Sequence, residues 1–266
     1  MKIIDTHSHF NLKQFDADRN SAILRMNDVN VGTVCIGVDY FSSAFAIEIA
    51  KGTTNIWACV GQHPTEWESS WDNQVINKEV FEKLAREERV VAIGECGLDY
   101  FREAEREHKK EQVVLFRAQI ELAIKTDLPL MLHVRPMQGT MDAYEDVLRI
   151  LSEYKISHPN LIGTAHFFVG NIDIAQQFLD LGFYISFSGV ITIFPEYEDV
   201  VKFVPIDRIL PETDAPFASP LQYRGKRNEP SYVSEVVKKI AIIQGLPLES
   251  VEKQLLENAK TLFKII

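Results

Sequence analysis

The sequence predicts an α/β protein with the TIM (β/α)8 barrel fold, and two observations lead to that prediction. Short apolar runs alternate with amphipathic segments along the chain, which is the pattern of a parallel sheet with crossover helices. About eight such runs occur, the number that closes a parallel sheet into a barrel. The runs begin near Ile3, Thr33, Ile56, Val90, Leu130, Leu161, Tyr184 and Ile209. At 266 residues the chain suits one barrel domain over 1–266, because such barrels commonly reach this length undivided.

Helical periodicity fills the intervals between the runs. The clearest example is 105–126, where apolar residues recur at spacings of three and four. Other predicted helices are 42–51, 75–89, 144–154, 172–181, 231–244 and 249–263. A doubly wound open sheet would need a glycine-rich phosphate loop after the first strand. The chain has Thr6-His7-Ser8-His9 there, so the barrel is favoured.

Composition and charge limit the classes of function. The net charge of -10 argues against a protein that coats long polyanions, although bound dications would offset part of it. The three cysteines are odd in number and lack a CxxC spacing, which predicts reduced core thiols. Met1 is followed almost at once by His7, which leaves no room for a signal peptide, and no apolar stretch is long enough to span a membrane. We therefore expect a cytoplasmic protein without a membrane partner, and no obligate protein partner is evident.

Imidazole and carboxylate groups follow the apolar runs at the strand ends. They are His7, His9, Glu95, His133, His166 and Asp214. Carboxyl ends of barrel strands bring residues that are distant in sequence to one rim. Mixed imidazole and carboxylate donors suit zinc, manganese or magnesium. The sequence thus predicts a site for divalent metal cations at the carboxyl ends of the strands, and a metal-dependent hydrolase.

The spacing within this set is informative. His7 and His9 are two residues apart, so both side chains of an extended segment point to the same side and can share one ion. Glu95 has two oxygens and could bridge two ions, although an ion pair with Arg135 or Arg102 is an alternative.

The last run carries two further carboxylates. Asp214 could bind an ion and accept a proton from the attacking water, which makes it and Glu95 the candidate catalytic residues. A turn or helix-capping aspartate is the alternative for Asp214. Glu212 is either a neighbour of a ligand or a buried structural acid, and the sequence does not decide between the two.

Four residues are candidates for substrate binding. Arg135 lies two residues beyond His133, and its planar guanidinium suits phosphate. Arg224 and Lys226 belong to a basic patch after the last run, on a loop expected at the catalytic face, although a solvated surface loop is an alternative. His63 follows the third run, where a substrate contact and a loop-structuring role are equally plausible.

With these residues placed, the chain resembles the TatD family of metal-dependent hydrolases over essentially its whole length. The segments that carry the resemblance are Asp5-Thr6-His7-Ser8-His9, Gly61-Gln62-His63-Pro64, Ile93-Gly94-Glu95-Cys96-Gly97-Leu98-Asp99-Tyr100, Leu132-His133-Val134-Arg135, Glu212-Thr213-Asp214-Ala215-Pro216, Arg224-Gly225-Lys226-Arg227-Asn228-Glu229-Pro230 and Asn258-Ala259-Lys260-Thr261-Leu262-Phe263. The chain departs from the family pattern at Pro136-Met137, Phe167 and Cys96, none of which removes a candidate ligand.

The resemblance implies one or two divalent cations per chain. One ion would take His7, His9 and Asp214, the other His133 and His166, with Glu95 between them. Family members are described as deoxyribonucleases, in some cases 3′-5′ exonucleases on single-stranded DNA. We therefore expect a deoxyribonuclease that acts on single strands or ends of DNA.

Two other functions are consistent with the same residues. The first is hydrolysis of a small ester, an amide or an aminoacyl-tRNA at the same metal site, which the acidic net charge favours slightly. The second is a non-catalytic binding protein on an inherited barrel, which is disfavoured because every expected ligand is present.

Overall fold

The computed structural model of the chain describes residues 1–69, 77–102 and 106–265. Eight parallel strands form one sheet in sequential order. They are β1 (Ile3–Ser8), β2 (Val31–Ile36), β3 (Ile56–Val60), β4 (Val90–Asp99), β5 (Leu130–Arg135), β6 (Gly163–Ala165), β7 (Tyr184–Phe187) and β8 (Ile209–Pro211). Ser8, the last residue of β1, forms a parallel bridge with Ala215, which lies just beyond β8. The predicted barrel is confirmed.

Helices alternate with these strands. They are α1 (Arg19–Asp28), α2 (Tyr40–Lys51), α3 (Lys78–Ala85), α4 (Lys109–Thr126), α5 (Asp142–Lys155), α6 (Ile172–Asp180), α7 (Glu198–Phe203), α8 (Val233–Gln244) and α9 (Leu248–Phe263). The predicted helices 75–89 and 105–126 each begin outside the described residues, and their described parts contain α3 and α4. The sequence analysis missed α1, because only Ala22 and Met26 of that helix are buried and the apolar stripe is too narrow to recognise.

Apolar side chains fill the space between the strands and the surrounding helices. The residues of β1, β2, β3 and β4 are buried throughout, as expected for strands covered on both faces. A smaller cluster joins Ile4 and Met131 to Leu262 and Phe263 of α9. Ile4 lies near the start of β1, so this apolar cluster occupies one end of the barrel, and the polar residues later in the strand lie towards the other end.

The three cysteines are buried and free, as the sequence analysis expected. Among the helices of the described residues, none is long and apolar enough to cross a lipid bilayer.

Candidate metal centre

The six candidate ligands converge at the carboxyl ends of the strands. His7 and His133 lie within β1 and β5, while His9, His166 and Asp214 lie just beyond β1, β6 and β8. The ends of β1 and β8 are joined directly, because the Asp214 N–H donates to the His7 carbonyl at 2.8 Å and the His9 N–H donates to the Ala215 carbonyl at 2.7 Å. This link holds the carboxyl ends of the first and the last strands together.

Glu95 does not end its strand, contrary to the sequence interpretation. β4 continues to Asp99, and its pairing with β5 shifts register between Ile93 and Cys96. Gly97 makes the close pairing with β5 feasible, because a Cβ there would lie 2.1 Å from the His133 carbonyl oxygen and its φ is +141°. The glycine therefore lets β4 run against the backbone of His133 while Glu95 lies beside it.

Four ligand atoms form a compact first group. His7 Nε2 and His9 Nε2 lie 3.2 Å apart. Glu95 Oε2 is 3.6 Å from each of these nitrogens, and Asp214 Oδ1 is 3.7 Å from His7 Nε2 and 3.4 Å from His9 Nε2. Donors about 2.0–2.1 Å from a tetrahedral cation are about 3.3–3.4 Å apart. The spacing of this group thus fits a single divalent cation.

A second group surrounds the other oxygen of Glu95. Oε1 lies 2.7 Å from His133 Nδ1 and 2.9 Å from His166 Nε2. His63 Nε2 approaches the same oxygen at 3.8 Å, and His63, Glu95 and His133 have a spacing that could hold a metal ion. The sequence analysis treated His63 only as a substrate contact or a loop residue, and the structure places it among the candidate ligands.

Two carboxylates orient the histidines of the second group. Asp99 Oδ2 lies 3.0 Å from His133 Nε2, and Glu212 Oε1 lies 3.2 Å from His166 Nδ1. A carboxylate on the far nitrogen fixes the ring of a metal-binding histidine and strengthens it as a ligand. The sequence analysis missed Asp99, although its even spacing from Glu95 in one extended strand was a usable signal.

The site is buried, and its charges are strongly coupled. Burial opposes the charge of Glu95, but the neighbouring His166 and His7 and the hydrogen bonds from His133 and His166 hold its pKa well below the usual range. Burial, with the charge of His166, lowers the pKa of His7 to about 4. Burial lowers the pKa of His63 to about 3, assisted by the charge of His133. His7 and His63 are therefore neutral at physiological pH, as metal-binding imidazoles must be.

The pKa of His133 is shifted in the opposite direction. Burial lowers its pKa, but the hydrogen bonds to Asp99 and Glu95 override that effect and raise the pKa to about 9. His166 has a pKa well above its usual value for a similar reason, since burial is outweighed by the carboxylates of Glu212 and Glu95. In the metal-free protein both rings carry a proton that a cation would displace.

A cavity of about 780 Å³ opens onto these ligands. His63 and Arg135 line it, together with Arg102, Phe167 and Phe217. The guanidinium of Arg135 lies 3.9 Å above the centre of the Phe101 ring, and within the described ranges no carboxylate pairs with it. An exposed, stacked guanidinium at the mouth of the cavity is well placed for an anionic group.

The late basic patch is arranged differently. Arg224 and Lys226 are exposed on the loop after β8 and are not among the residues that line the cavity. Arg227 pairs with Asp18 at 2.6 Å and with Glu229 at 2.9 Å, and so ties this loop to the start of α1. The structure thus places His63 and Arg135 beside the candidate ligands and leaves Arg224 and Lys226 outside the cavity.

Comparison with known proteins gives the family. The model of the TatD related DNase family matches residues 4–264. The chain belongs to the TatD family. The metal-dependent hydrolase YabD of Bacillus subtilis is 37% identical over 272 residues, 99% of each chain. The TatD homologue YjjV of Escherichia coli superimposes with a TM-score of 0.89 at 27% identity, covering 100% of this chain and 99% of the other.

A further TatD relative has a named activity. The 3′-5′ ssDNA/RNA exonuclease TatD of Salmonella typhimurium is 30% identical over 264 residues and covers 95% of each chain. The resemblance deduced from the motifs is confirmed, and the chain is a metal-dependent hydrolase of the TatD family with histidine and carboxylate groups placed to bind metal.

Proposed function

We propose that this chain is a deoxyribonuclease that releases nucleotides from the 3′ end of single-stranded DNA at a centre of two divalent cations. The observation that carries the proposal is the position of Glu95, which presents Oε2 to one group of ligands and Oε1 to another. A carboxylate shared in this way suits two ions about 3.5–4 Å apart, the arrangement of many phosphodiester hydrolases. The name of the Salmonella relative supports the choice of a nucleic acid substrate.

The two groups divide the ligands. His7, His9, Asp214 and Glu95 Oε2 would hold one ion. Glu95 Oε1, His133 and His166 would hold the other, with His63 at its edge. Their donor atoms suit zinc, magnesium or manganese. Cations bound there would lower the pKa of a water molecule and stabilise negative charge on phosphate oxygens.

Asp214 and Glu95 have distinct tasks in this proposal. Asp214 Oδ1 faces His7 and His9, which leaves Oδ2 to accept the proton of the attacking water. The Asp214 side chain is 16% exposed, so it can reach substrate, whereas that of Glu95 is 4% exposed and stays with the ligands.

Arg135 would bind the phosphate. Its stack on Phe101 fixes the guanidinium plane at the mouth, where two parallel N–H groups can donate to phosphate oxygens. His63 lines the same cavity and can contact substrate as well as metal. Arg224 and Lys226 lie outside the cavity, and in this proposal they contact phosphates further along the strand.

The position of that basic patch also favours a second candidate function. Among the described residues that line the cavity, the arginines are Arg102 and Arg135 and there is no lysine, so the cavity could accept a small ester, an amide or the ester of an aminoacyl-tRNA without help from Arg224 and Lys226. The two candidate functions use the same metal centre and differ in the substrate that enters the cavity.

The test uses the full chain, freed of metal and reloaded separately with Zn²⁺, Mg²⁺ or Mn²⁺. Single-stranded DNA labelled at its 5′ end should be shortened progressively, and a blocked 3′ end should stop the reaction. Duplex DNA, model esters and an aminoacyl-tRNA are assayed beside it. Metal-dependent cleavage of an ester or an aminoacyl-tRNA, with no nucleotide release under any metal, would refute the nuclease proposal and support the second candidate.

A further inference from the structure

We infer that Glu212 positions one histidine of each metal group, His166 in one and His7 in the other, and so couples the two ions. The inference rests on the proposed two-ion centre and assigns a role to a residue outside the ligand set. Glu212 is a single buried carboxylate that orients two of the ligands and is not itself a ligand.

Glu212 has direct contacts on the His166 side. It follows β8 and is fully buried. Its Oε1 accepts a hydrogen bond from the Phe167 N–H at 2.7 Å and lies 3.2 Å from His166 Nδ1. With Nδ1 held in this way, His166 Nε2 is directed at Glu95 Oε1, 2.9 Å away. Glu212 therefore fixes the orientation in which His166 meets the second group.

His7 lies against the same carboxylate. Its ring stacks on that of His166, with centroids 3.7 Å apart and planes 9° from parallel. A ring nitrogen of His7, a ring nitrogen of His166 and an oxygen of Glu212 all lie within 4.8 Å of one another. One carboxylate thus serves two stacked imidazoles that face different groups of ligands.

His7 and Glu212 each have one buried polar atom without a hydrogen-bond partner among the described residues. His7 Nε2 faces the first group, so when it binds a cation the proton of the ring is on Nδ1. His7 Nδ1 is buried and has no hydrogen-bond partner within the part of the chain described, and the same is true of Glu212 Oε2. A buried donor and a buried acceptor each lose free energy when unpaired, and the two residues that carry them belong to one group whose ligand atoms lie within 4.8 Å of one another. When a cation binds His7 Nε2, Glu212 Oε2 is the acceptor for the N–H group at His7 Nδ1.

Asp99 provides the matched comparison. It plays the same part for His133 that Glu212 plays for His166, with Oδ2 3.0 Å from His133 Nε2. Its side chain also accepts a hydrogen bond from the Phe101 N–H, and it does not belong to the group formed by His7, His166 and Glu212. Loss of Asp99 should therefore weaken one ion, whereas loss of Glu212 should weaken both.

The experiment measures metal binding rather than turnover. Metal-free wild type, Glu212→Gln and Asp99→Asn are titrated with Zn²⁺ by calorimetry against a competing chelator, and with Co²⁺ by absorption spectroscopy. Removing such an orienting carboxylate typically costs 10–100-fold in metal affinity. We expect Glu212→Gln to weaken both binding events by that factor and Asp99→Asn to weaken only one. Thermal unfolding of the metal-free variants checks that the fold is intact, and Glu212→Asp, which keeps the charge but shortens its reach, replaces Glu212→Gln if that variant does not fold.

The outcomes are separable. A wild type that binds two ions, with a Glu212 variant that weakens only one of them, overturns the inference and leaves the proposed function standing. A wild type that binds one ion or none overturns the two-ion centre and the inference together. Two weakened events with an unchanged unfolding temperature support the coupling, because a general loss of packing would lower that temperature as well.

Discussion

Replacing Asp214 by asparagine tests its proposed role as proton acceptor, with little expected effect on the fold. The residue has φ of +56°, a left-handed conformation that asparagine tolerates as well as aspartate. Its backbone N–H bond to the His7 carbonyl is unaffected by the change, and the asparagine amide oxygen can still face the buried His7 and His9. We expect the free energy of unfolding to change by no more than about 1–2 kcal/mol.

The expected loss of activity is large by comparison. The asparagine amide can present its oxygen to His7 and His9, which leaves an NH₂ group where the proton should be accepted. Removal of a general base typically lowers the rate by about 10²–10⁴, or roughly 3–5 kcal/mol of activation free energy. His7, His9 and Glu95 still contribute three donor atoms to the first group, so saturating metal should still fill it.

The assay is kcat on labelled single-stranded DNA at saturating metal, with bound metal measured by elemental analysis of the same samples. Asp28→Asn makes the same chemical change at an exposed position of α1 and should leave kcat unchanged. A fully loaded Asp214→Asn enzyme with near-normal kcat would show that another group accepts the proton.

Three further predictions follow from the same geometry. Glu95→Gln removes the charge that both ligand groups share, so elemental analysis should find at least one metal position empty; a full complement would contradict the bridging role. Affinity for a cation at the second group should rise between pH 7 and 9, by up to about tenfold per pH unit for each proton displaced, because the extra protons on His133, whose pKa is about 9, and on His166 must leave on binding; a flat calorimetric profile would contradict this. Gly97→Ala should lower the free energy of unfolding by about 2–5 kcal/mol in denaturant titrations, since its Cβ would lie 2.1 Å from a carbonyl oxygen of β5, and an unchanged midpoint would be inconsistent with that contact.

The barrel could be predicted from sequence because its strands are apolar on both faces and end in turns or polar residues. The predicted starts of β1, β3, β4, β5, β7 and β8 match the observed ones, and β2 and β6 differ by two residues. The strand pattern also predicted that the six candidate ligands lie close together, because the parallel strands of a barrel have their carboxyl ends at one rim. Periodicity and strand direction were sufficient for this part of the site.

What could not be predicted depends on local geometry. Glu95 looked like the end of a strand because it closes the apolar run that begins at Val90, whereas the structure continues β4 through a register shift to Asp99. Nothing in the sequence showed that Arg227 would be held by Asp18, which lies 209 residues earlier in the chain. Arg224 and Lys226 do lie on the loop after β8, but only the path of that loop shows that they stay out of the cavity.

The joining of β1 to the Asp214 turn has a consequence for biosynthesis. His7 and His9 leave the ribosome before Asp214, which follows more than two hundred residues later. A nascent chain that captured a cation early would hold it with an incomplete set of donors and without its proton acceptor. In the proposed mechanism, hydrolytic competence therefore arises only after Asp214 has been synthesised, which limits premature chemistry by growing polypeptides.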